Sequence, residues 1–217
     1  MQARLPCPRP AAAVLDGRYA RLEPLAAAHA TALYEASTGA NAQARFAYLP
    51  DVPPATPADM AAWIAKATAG SDPLFSAVID KATGRAAGRQ ALMRITPEHG
   101  VIEIGNILWG PAISRTRVST EALYLAARHI FEDLGYRRFE WKCNDRNEPS
   151  KAAARRFGFS HEGRFRQHMW IKGANRDTAW FSMLDSEWPG LRREYDRWLE
   201  PSNFDAAGKQ KSRLQVL

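Results

Sequence analysis

Two arginines stand at the start of a predicted helix, where cations are usually unfavourable. They belong to the segment Arg115-Thr116-Arg117-Val118-Ser119-Thr120, and apolar residues at helical spacing continue to residue 134. Free amides and the positive end of the helix dipole point out of such a start, so each arginine there costs roughly 0.3–1 kcal/mol unless an anion is bound. The segment therefore predicts either an anion-binding turn or two arginines whose side chains lie in water.

A second predicted helix starts at Asn147-Glu148-Pro149-Ser150. Asparagine can cap the first free amides of a helix, and proline is tolerated in its first turn. The helix would end at Gly158, because glycine readily adopts the backbone conformation that closes a helix. Local physics is enough to explain these residue types, so by itself the spacing predicts a helix start.

Several catalytic and binding motifs do not occur in the sequence. There is no G-x-S-x-G, H-E-x-x-H, C-x-x-C or G-x-G-x-x-G, and the pair Gly100 and Gly105 is not followed by the Lys and Ser or Thr of a phosphate loop. The two cysteines, Cys7 and Cys143, are too few for a disulfide framework or a four-ligand zinc site. Hydrolase, zinc, dinucleotide and kinase functions are therefore disfavoured, and we expect no metal.

The composition is that of a globular protein. Of the 217 residues 46% are hydrophobic and 24% are charged, and no apolar stretch approaches the roughly 18 residues of a membrane span. The apolar block at 11–15 is too short for a signal sequence, so we expect a cytoplasmic protein that does not enter a membrane. Thirty Lys and Arg against 23 Asp and Glu give a net charge of +7, which favours anionic partners of several kinds.

The elements that must position these segments follow from periodicity. Strands are predicted at 18–22, 74–80, 87–95, 101–109, 139–143, 159–171 and 177–184. Helices are predicted after residue 24 and at 58–69, 118–134 and 147–158, with a C-terminal helix carrying Leu191, Tyr195, Trp198 and Leu199 on one face. This order predicts one α/β domain over 17–200 whose central sheet is mixed, with a flexible N-terminal arm at 1–16 and a flexible basic tail at 201–217.

Two stretches carry a family resemblance. One is Glu103-Ile104-Gly105-Asn106-Ile107-Leu108-Trp109. The other runs from Asn147-Glu148-Pro149-Ser150-Lys151 through Arg155-Arg156-Phe157-Gly158-Phe159 to Glu162-Gly163. Together with the element order over residues 18–188, they resemble the GNAT superfamily of acetyl-CoA-dependent N-acetyltransferases, in particular its branch related to ribosomal-protein N-terminal acetyltransferases. The resemblance implies a mixed sheet flanked by helices and opened by a bulge on the 101–109 strand.

The resemblance also implies where acetyl-CoA would bind. Backbone amides of the 107–109 strand would polarise the thioester carbonyl, and the turn at 115–120 would hold the pyrophosphate. The sequence departs from the family here, because Ser114, Arg117 and Ser119 occupy the pattern positions and both glycine-type residues are lost. Ser119 and Thr120 could add hydroxyl donors or merely cap the helix. The implied coenzyme contacts are Ile107, Leu108, Trp109, Arg115, Thr116, Arg117, Val118, Ser119, Thr120 and Asn147.

The implied catalytic residues are Ser150 and Glu103. Ser150 matches the family position whose hydroxyl approaches the coenzyme sulfur, so it would donate a proton to the thiolate, or else only cap its helix. Glu103 would be the base, directly or through water, although a strand glutamate beside basic residues is more often structural. His168 could substitute, since its ordinary pKa is near neutral.

The function expected from the sequence is acetyl transfer to a primary amine, by direct attack in a ternary complex. The acceptor is open between a small molecule and a protein N-terminus, and a homodimer remains open as well. The alternatives are an acyl-CoA-binding protein with a degenerate phosphate loop and an RNA- or ribosome-associated module. We do not expect nucleic acid, because the tryptophans fall in strand patterns where burial is the usual explanation.

Overall fold

The computed structural model describes residues 5–216 and contains eight strands in one mixed sheet. The strands are β1 (Leu15–Asp16), β2 (Ala20–Pro24), β3 (Leu74–Asp80), β4 (Arg85–Thr96), β5 (Val101–Trp109), β6 (Arg138–Asn144), β7 (Ser160–Ile171) and β8 (Ala174–Leu184). Their order across the sheet is β1-β2-β3-β4-β5-β6-β8-β7.

Six α-helices accompany the strands within residues 5–216. They are α1 (Ala30–Ser37), α2 (Ala42–Phe46), α3 (Pro57–Ala67), α4 (Arg117–Arg128), α5 (Glu148–Arg156) and α6 (Trp188–Leu199). The helix predicted at 118–134 is therefore α4 followed by a π-helical turn, His129–Asp133. No helix among residues 5–216 has the length and apolar content needed to cross a membrane.

One compact unit comprises Pro10–Ile95 and Ile104–Ala126. Its first four strands pair antiparallel in sequence order. The pairing of β3 with β4 shifts register, because Val78 pairs with Gly88 whereas Ile79 pairs with Ala86. A bulge therefore lies in β4 beside Gly88. Helices α1 and α3 supply apolar side chains to a core that contains Leu25, Leu33, Met60, Ile64, Ala77, Ile79 and Ala86.

The other compact unit comprises residues 5–9, Thr96–Glu103 and 127–216. Strand β8 pairs antiparallel with both β6 and β7. The predicted apolar face of α6 is confirmed, since Leu191, Tyr195, Trp198 and Leu199 are all buried. Tyr195 anchors this helix by donating its hydroxyl hydrogen to the Phe157 carbonyl oxygen at 3.0 Å, and burial raises the pKa of that hydroxyl.

The expected arm and tail make contacts that the sequence did not reveal. The Cys7 thiol is buried and its amide donates to the Pro97 carbonyl at 3.0 Å. In the C-terminal segment, the Phe204 ring lies 5.0 Å from the Trp198 ring, whose indole donates to Gln210 at 2.8 Å. The spacing of apolar residues in the two segments does not predict such contacts. Residues 1–4 and 217 of the two segments lie outside the described residues, and the mobility and boundaries of the segments remain predictions.

Candidate functional site

The end of β5 is held tightly against β4. The Gly110 amide donates to the Ala87 carbonyl at 2.8 Å. A Cβ placed on Gly88 would come within 2.8 Å of the Leu108 carbonyl oxygen and 3.0 Å of the Trp109 Cα. Only a residue without a side chain permits this approach. The backbone predicted to bind the thioester is thus fixed from one side by β4.

A left-handed residue interrupts β5 just before this point. Asn106 has φ +50°, which is unusual inside a strand and typical of a bulge. The bulge that the resemblance implied on this strand is supported by this conformation. Beyond it, the Trp109 indole donates to the Gln90 side-chain oxygen at 3.3 Å, and the Gln90 amide donates to the Ala122 carbonyl at 3.1 Å.

The turn before α4 is left-handed as well, at an arginine rather than at a glycine. Arg115 is exposed and has φ +61°. Thr116 caps the helix, because its hydroxyl accepts from the Val118 amide at 3.2 Å and donates to the Ile113 carbonyl at 2.7 Å. The Arg117 guanidinium lies over the Tyr19 ring, 4.4 Å from its centroid.

The hydroxyls of Ser119 and Thr120 face the helix. Both residues are buried, and their hydroxyls donate to the Thr116 carbonyl at 3.1 and 3.0 Å. These bonds go to a carbonyl of the preceding turn and cap no free amide of the helix start, so both roles left open by the sequence remain predictions. Any contact with a pyrophosphate would come from backbone amides, a role that remains a prediction.

Ser150 is positioned by a tryptophan and by its own helix cap. The Asn147 side-chain oxygen accepts the Ser150 amide at 3.2 Å, as the local sequence predicts for a cap. The Trp141 indole donates to the Ser150 oxygen at 3.0 Å. The hydroxyl hydrogen is thereby left available for a different acceptor.

Ser150 lies beside a buried thiol, that of Cys143. Burial raises the pKa of the Cys143 thiol, and its hydrogen bond with Ser150 lowers the pKa in part. A hydrogen bond that lowers a thiol pKa stabilises the thiolate. The departure of a thiolate requires a hydrogen-bond donor, and the assignment of the Ser150 hydroxyl to that step remains a prediction.

Glu103 is buried in an ion pair. Its carboxylate lies 2.9 Å from the Lys142 ammonium, which also lies 2.7 Å from Glu140 and 3.8 Å from the centroid of the Trp180 ring. The side chains of all three ionised residues are less than one-tenth exposed. The structural role that the sequence left open for Glu103 is present in the structure, and its role as a base remains a prediction.

The ionic chain continues along β6 to the motif residue Glu162. Arg138 lies 2.8 Å from Glu140 and binds both carboxylate oxygens of Glu162 at 2.7 and 2.5 Å. The hydrogen bonds from Arg138, aided by one from Ser182, hold the pKa of Glu162 at about 2. Those same bonds raise the pKa of Arg138. Glu162 therefore stays ionised at neutral pH.

His168 and the tryptophans lie in varied environments. His168 is exposed on β7, with Nδ1 3.0 Å from the Thr178 hydroxyl. Trp141 and Trp188 are buried, as expected from the pattern, but Trp170 is 70% exposed. The expectation of burial is therefore wrong for Trp170, because the alternation of a hairpin strand does not reveal which face is covered.

Arg89 was not among the residues predicted from the sequence. It lies in β4, is 2% exposed and donates from Nη2 to the Asp51 carboxylate at 2.8 Å. Its guanidinium carbon lies 3.8 Å from the centroid of the Trp63 ring. The available signal was an arginine between Gly88 and Gln90 in the predicted 87–95 strand, which also contains Arg94, so the sequence alone did not single it out.

A metal site would need several ligating side chains close together. Among residues 5–216, no three His, Cys, Asp or Glu side chains are grouped so that they could hold a metal ion. The expectation of metal-free chemistry remains a prediction.

Comparison with known proteins decides the family. The model of the acetyltransferase (GNAT) domain matches residues 20–160. The chain belongs to the GNAT family of acetyltransferases. The family resemblance inferred from the 103–109 and 147–163 motifs is confirmed, and this GNAT protein is an acyltransferase.

Solved structures confirm the fold over almost the whole chain. This GNAT protein is 56% identical to a GCN5-related N-acetyltransferase from Brucella melitensis, with a TM-score of 0.95, over 99% of this chain and 97% of that one. It is 40% identical to a structure described as a probable GNAT-family acetyltransferase from Chromobacterium violaceum ATCC 12472, with a TM-score of 0.79, over 87% of this chain and 93% of that one. The predicted α/β class, mixed sheet and C-terminal helix are confirmed.

A shorter match exists with a Bacillus subtilis (strain 168) protein named "Putative ribosomal N-acetyltransferase YdaF". The two are 32% identical over 73 residues. The match covers 34% of this GNAT protein and only 40% of the relative.

Proposed function

We propose that this GNAT protein transfers an acetyl group from acetyl-CoA to a primary amine by direct attack in a ternary complex. The observation that carries the proposal is the Ser150 hydroxyl, whose oxygen accepts from the Trp141 indole at 3.0 Å, so that its hydrogen can be donated to a leaving sulfur. Acetyl-CoA supplies the thioester, whose carbon–sulfur bond breaks as the amine nitrogen bonds to the carbonyl carbon.

Two segments of the chain would bind the donor. We assign backbone amides at Ile107, Leu108 and Trp109 to the thioester carbonyl, where developing negative charge needs fixed donors. We assign the turn at 115–120 to the pyrophosphate, because the amides and dipole of the α4 start favour an anion. A bound anion would also offset the unfavourable placement of Arg115 and Arg117 at a helix N-terminus.

Ser150 and Glu103 would move the protons. Ser150 donates its hydroxyl proton to the leaving sulfur, and Trp141 keeps the serine oxygen oriented for this step. Glu103 accepts the proton that the amine loses, directly or through water. The Lys142 ammonium lies 2.9 Å from the Glu103 carboxylate.

The acceptor class is set by the transfer to nitrogen. A small-molecule amine and a protein N-terminus are both compatible with the family. The ribosomal branch is supported by the printed name of the Bacillus subtilis relative, over the 73 residues that match. We propose that the protein acts in the cytoplasm.

The test replaces Ser150 by alanine and measures thiol release from acetyl-CoA over a panel of amines. Turnover should fall by about 100-fold, since a positioned proton donor contributes at least that much. The affinity for coenzyme A, measured by calorimetry, should stay within about two-fold because the hydroxyl contributes to the step and not to binding. Ser160→Ala, at an exposed position in β7, is the matched control.

Each possible result is informative. Unchanged turnover in Ser150→Ala removes the proton-donor role. Coenzyme binding without thiol release from any amine would instead identify the acyl-CoA-binding protein.

A further inference from the structure

Arg89 is a buried cation whose hydrogen-bonding capacity is only partly used. Nη2 donates to the Asp51 carboxylate, and the Trp63 ring covers one face of the guanidinium. Within residues 5–216, Nε and Nη1 have no hydrogen-bond partner and are shielded from solvent. Burial lowers the pKa of this guanidinium, although the Asp51 carboxylate works in the opposite direction.

This arrangement is expensive for a purely structural side chain. A buried donor without an acceptor loses its water and gains nothing in return, so native proteins rarely retain one without a reason. Stacking on Trp63 needs only the face of the guanidinium and does not use the donors at its edge. An apolar side chain could fill the same space in the core without leaving donors unused.

The position of Arg89 in the fold connects it to the proposed acyl site. It directly follows Gly88, the residue that lies against Leu108 and Trp109. It pairs across the sheet with Ala77, whose side chain belongs to the core beneath α1 and α3. Arg89 thus enters the layer between sheet and helices one residue away from the backbone assigned to the thioester.

We propose that Arg89 binds a carboxylate of the substrate. This inference rests on the proposed acyl transfer and names the chemistry of one partner in it. The carboxylate belongs either to the acceptor amine, as in an amino acid or an acidic peptide, or to the far end of the acyl group, as in succinyl-CoA. Both sources present the same planar anion to a guanidinium, which recognises it through charge-assisted hydrogen bonds.

In the structure, the Asp51 carboxylate occupies the position on Arg89 that we assign to the substrate carboxylate. It is the acidic side chain on Nη2, and its own side chain is one-quarter exposed, so water can solvate it when it leaves Arg89. It lies in the segment between α2 and α3, at residues 47–56. When Asp51 moves away from Arg89, the substrate carboxylate takes its place. It then accepts hydrogen bonds from Nε and Nη1, which have no acceptor among the described residues.

The first experiment measures binding without any coenzyme. Thermal stabilisation of the full chain is compared for succinate and for its neutral diamide, in wild type, Arg89→Met, Arg89→Lys and Asp51→Asn. Succinate should stabilise wild type more than the diamide does, Arg89→Met should abolish the difference, and Asp51→Asn should enlarge it because the competing anion is gone. Arg85→Met is the matched control, since this arginine lies on the same strand but is exposed.

The second experiment compares kcat/KM within pairs of substrates that differ in one carboxylate. One arm uses acetyl-CoA with amines carrying either a carboxylate or its amide, and the other arm uses succinyl-CoA against acetyl-CoA with a neutral amine. Arg89→Met should lower kcat/KM about 100-fold for the carboxylate member that wild type prefers, and less than about three-fold for its neutral counterpart. The arm that shows this selectivity identifies the source of the carboxylate.

Three outcomes overturn the inference. One is an equal loss for both members of every pair, which would make Arg89 a structural residue. The second is no loss at all. The third is weaker succinate binding in Asp51→Asn.

If wild type transfers acetyl to neutral amines while ignoring carboxylates, the inference fails and the proposed function stands. If no amine releases thiol but succinate binding depends on Arg89, the proposed function fails and the anion site stands. If Arg89→Met does not fold, Arg89→Lys and Asp51→Asn decide between these outcomes. Arg89→Lys should reduce the preference for succinate over its diamide, because an ammonium lacks the planar pair of donors, whereas Asp51→Asn should enlarge it.

Discussion

Lys142 and Arg89 are both buried cations in the sheet, yet their surroundings differ. The Lys142 ammonium has two carboxylates within 2.9 Å and an aromatic face at 3.8 Å. The Arg89 guanidinium has an aromatic face at the same distance but a single carboxylate, and two of its nitrogens lack acceptors among the described residues. The same kind of charge faces two carboxylates in one place and one carboxylate in the other.

This difference distinguishes a charge that stabilises the fold from a charge that could bind a ligand anion. A buried cation with a complete set of partners stabilises the fold only while those partners remain, since removing one member leaves an uncompensated charge. A buried cation with unused donors already carries that cost, and an incoming anion reduces it. The number of buried donors that lack an acceptor is therefore a criterion for choosing which buried charge to test as a ligand site.

The largest expected effect contrasts the two cations directly. Lys142→Met should lower the free energy of unfolding by about 3–5 kcal/mol, because two buried carboxylates would lose their shared partner. Arg89→Met should change it by less than about 1 kcal/mol, since unused donors disappear along with the ion pair. Urea denaturation at pH 7 measures both. Equal losses in the two variants would abolish the distinction between the sites.

A pH effect should sharpen the description of the compensated network. Hydrogen bonds from Arg138 hold the pKa of Glu162 at about 2, below its ordinary value of 4.5. The ionised carboxylate therefore stabilises the folded state above about pH 4.5, and this contribution is lost as the pH falls towards 2. Glu162→Gln should lower stability at pH 7 and flatten its decline between about pH 5 and 2, the interval in which wild type loses the contribution.

Unfolding free energies at several pH values provide the measurement. Glu98→Gln, at an exposed position, should keep the wild-type pH profile. A Glu162→Gln profile parallel to wild type would show that the Arg138 pair contributes nothing to acid sensitivity.

The smallest effect concerns an exposed cation, Arg115, for comparison with the two buried ones. Its φ of +61° disfavours a side chain, so Arg115→Gly should raise the free energy of unfolding by up to about 1 kcal/mol. Coenzyme A affinity should fall severalfold and depend less on salt, if the guanidinium contacts a phosphate. Arg115→Lys keeps both the charge and the strain and is the control. Full affinity in the glycine variant would remove Arg115 from the phosphate site.

The regular elements were predictable wherever the pattern was local and long. Strands Leu74–Asp80 and Val101–Trp109 have the predicted bounds, and the cap at Asn147 forms as its residue type indicates. Strand β1 and helix α2 were missed, because two and five residues carry no readable period. Leu15 joins the sheet only by pairing with Leu22, and α2 follows Asn41, which has a left-handed conformation.

In the proposed site too, the residue types were predictable from the sequence, but the orientations of their side chains were not. Ser150 was placed by its motif, but its orientation depends on Trp141, which reaches it from β6. The hydroxyls of Ser119 and Thr120 could have faced a ligand by sequence alone, and the helix geometry turned them to the Thr116 carbonyl instead. Residue types can suggest chemistry, whereas hydrogen-bond partners depend on neighbouring elements.

By itself, the sequence determined the order of strands and helices, the family and the two helix starts, because periodicity, capping and turn chemistry act over a few residues. The tertiary structure alone decided which charges are compensated. Arg89 meets Asp51 and Trp63 from segments 38 and 26 positions earlier in the chain, and Lys142 meets Glu103 from another strand. Burial makes such partners energetically decisive, and burial arises only when distant segments pack together.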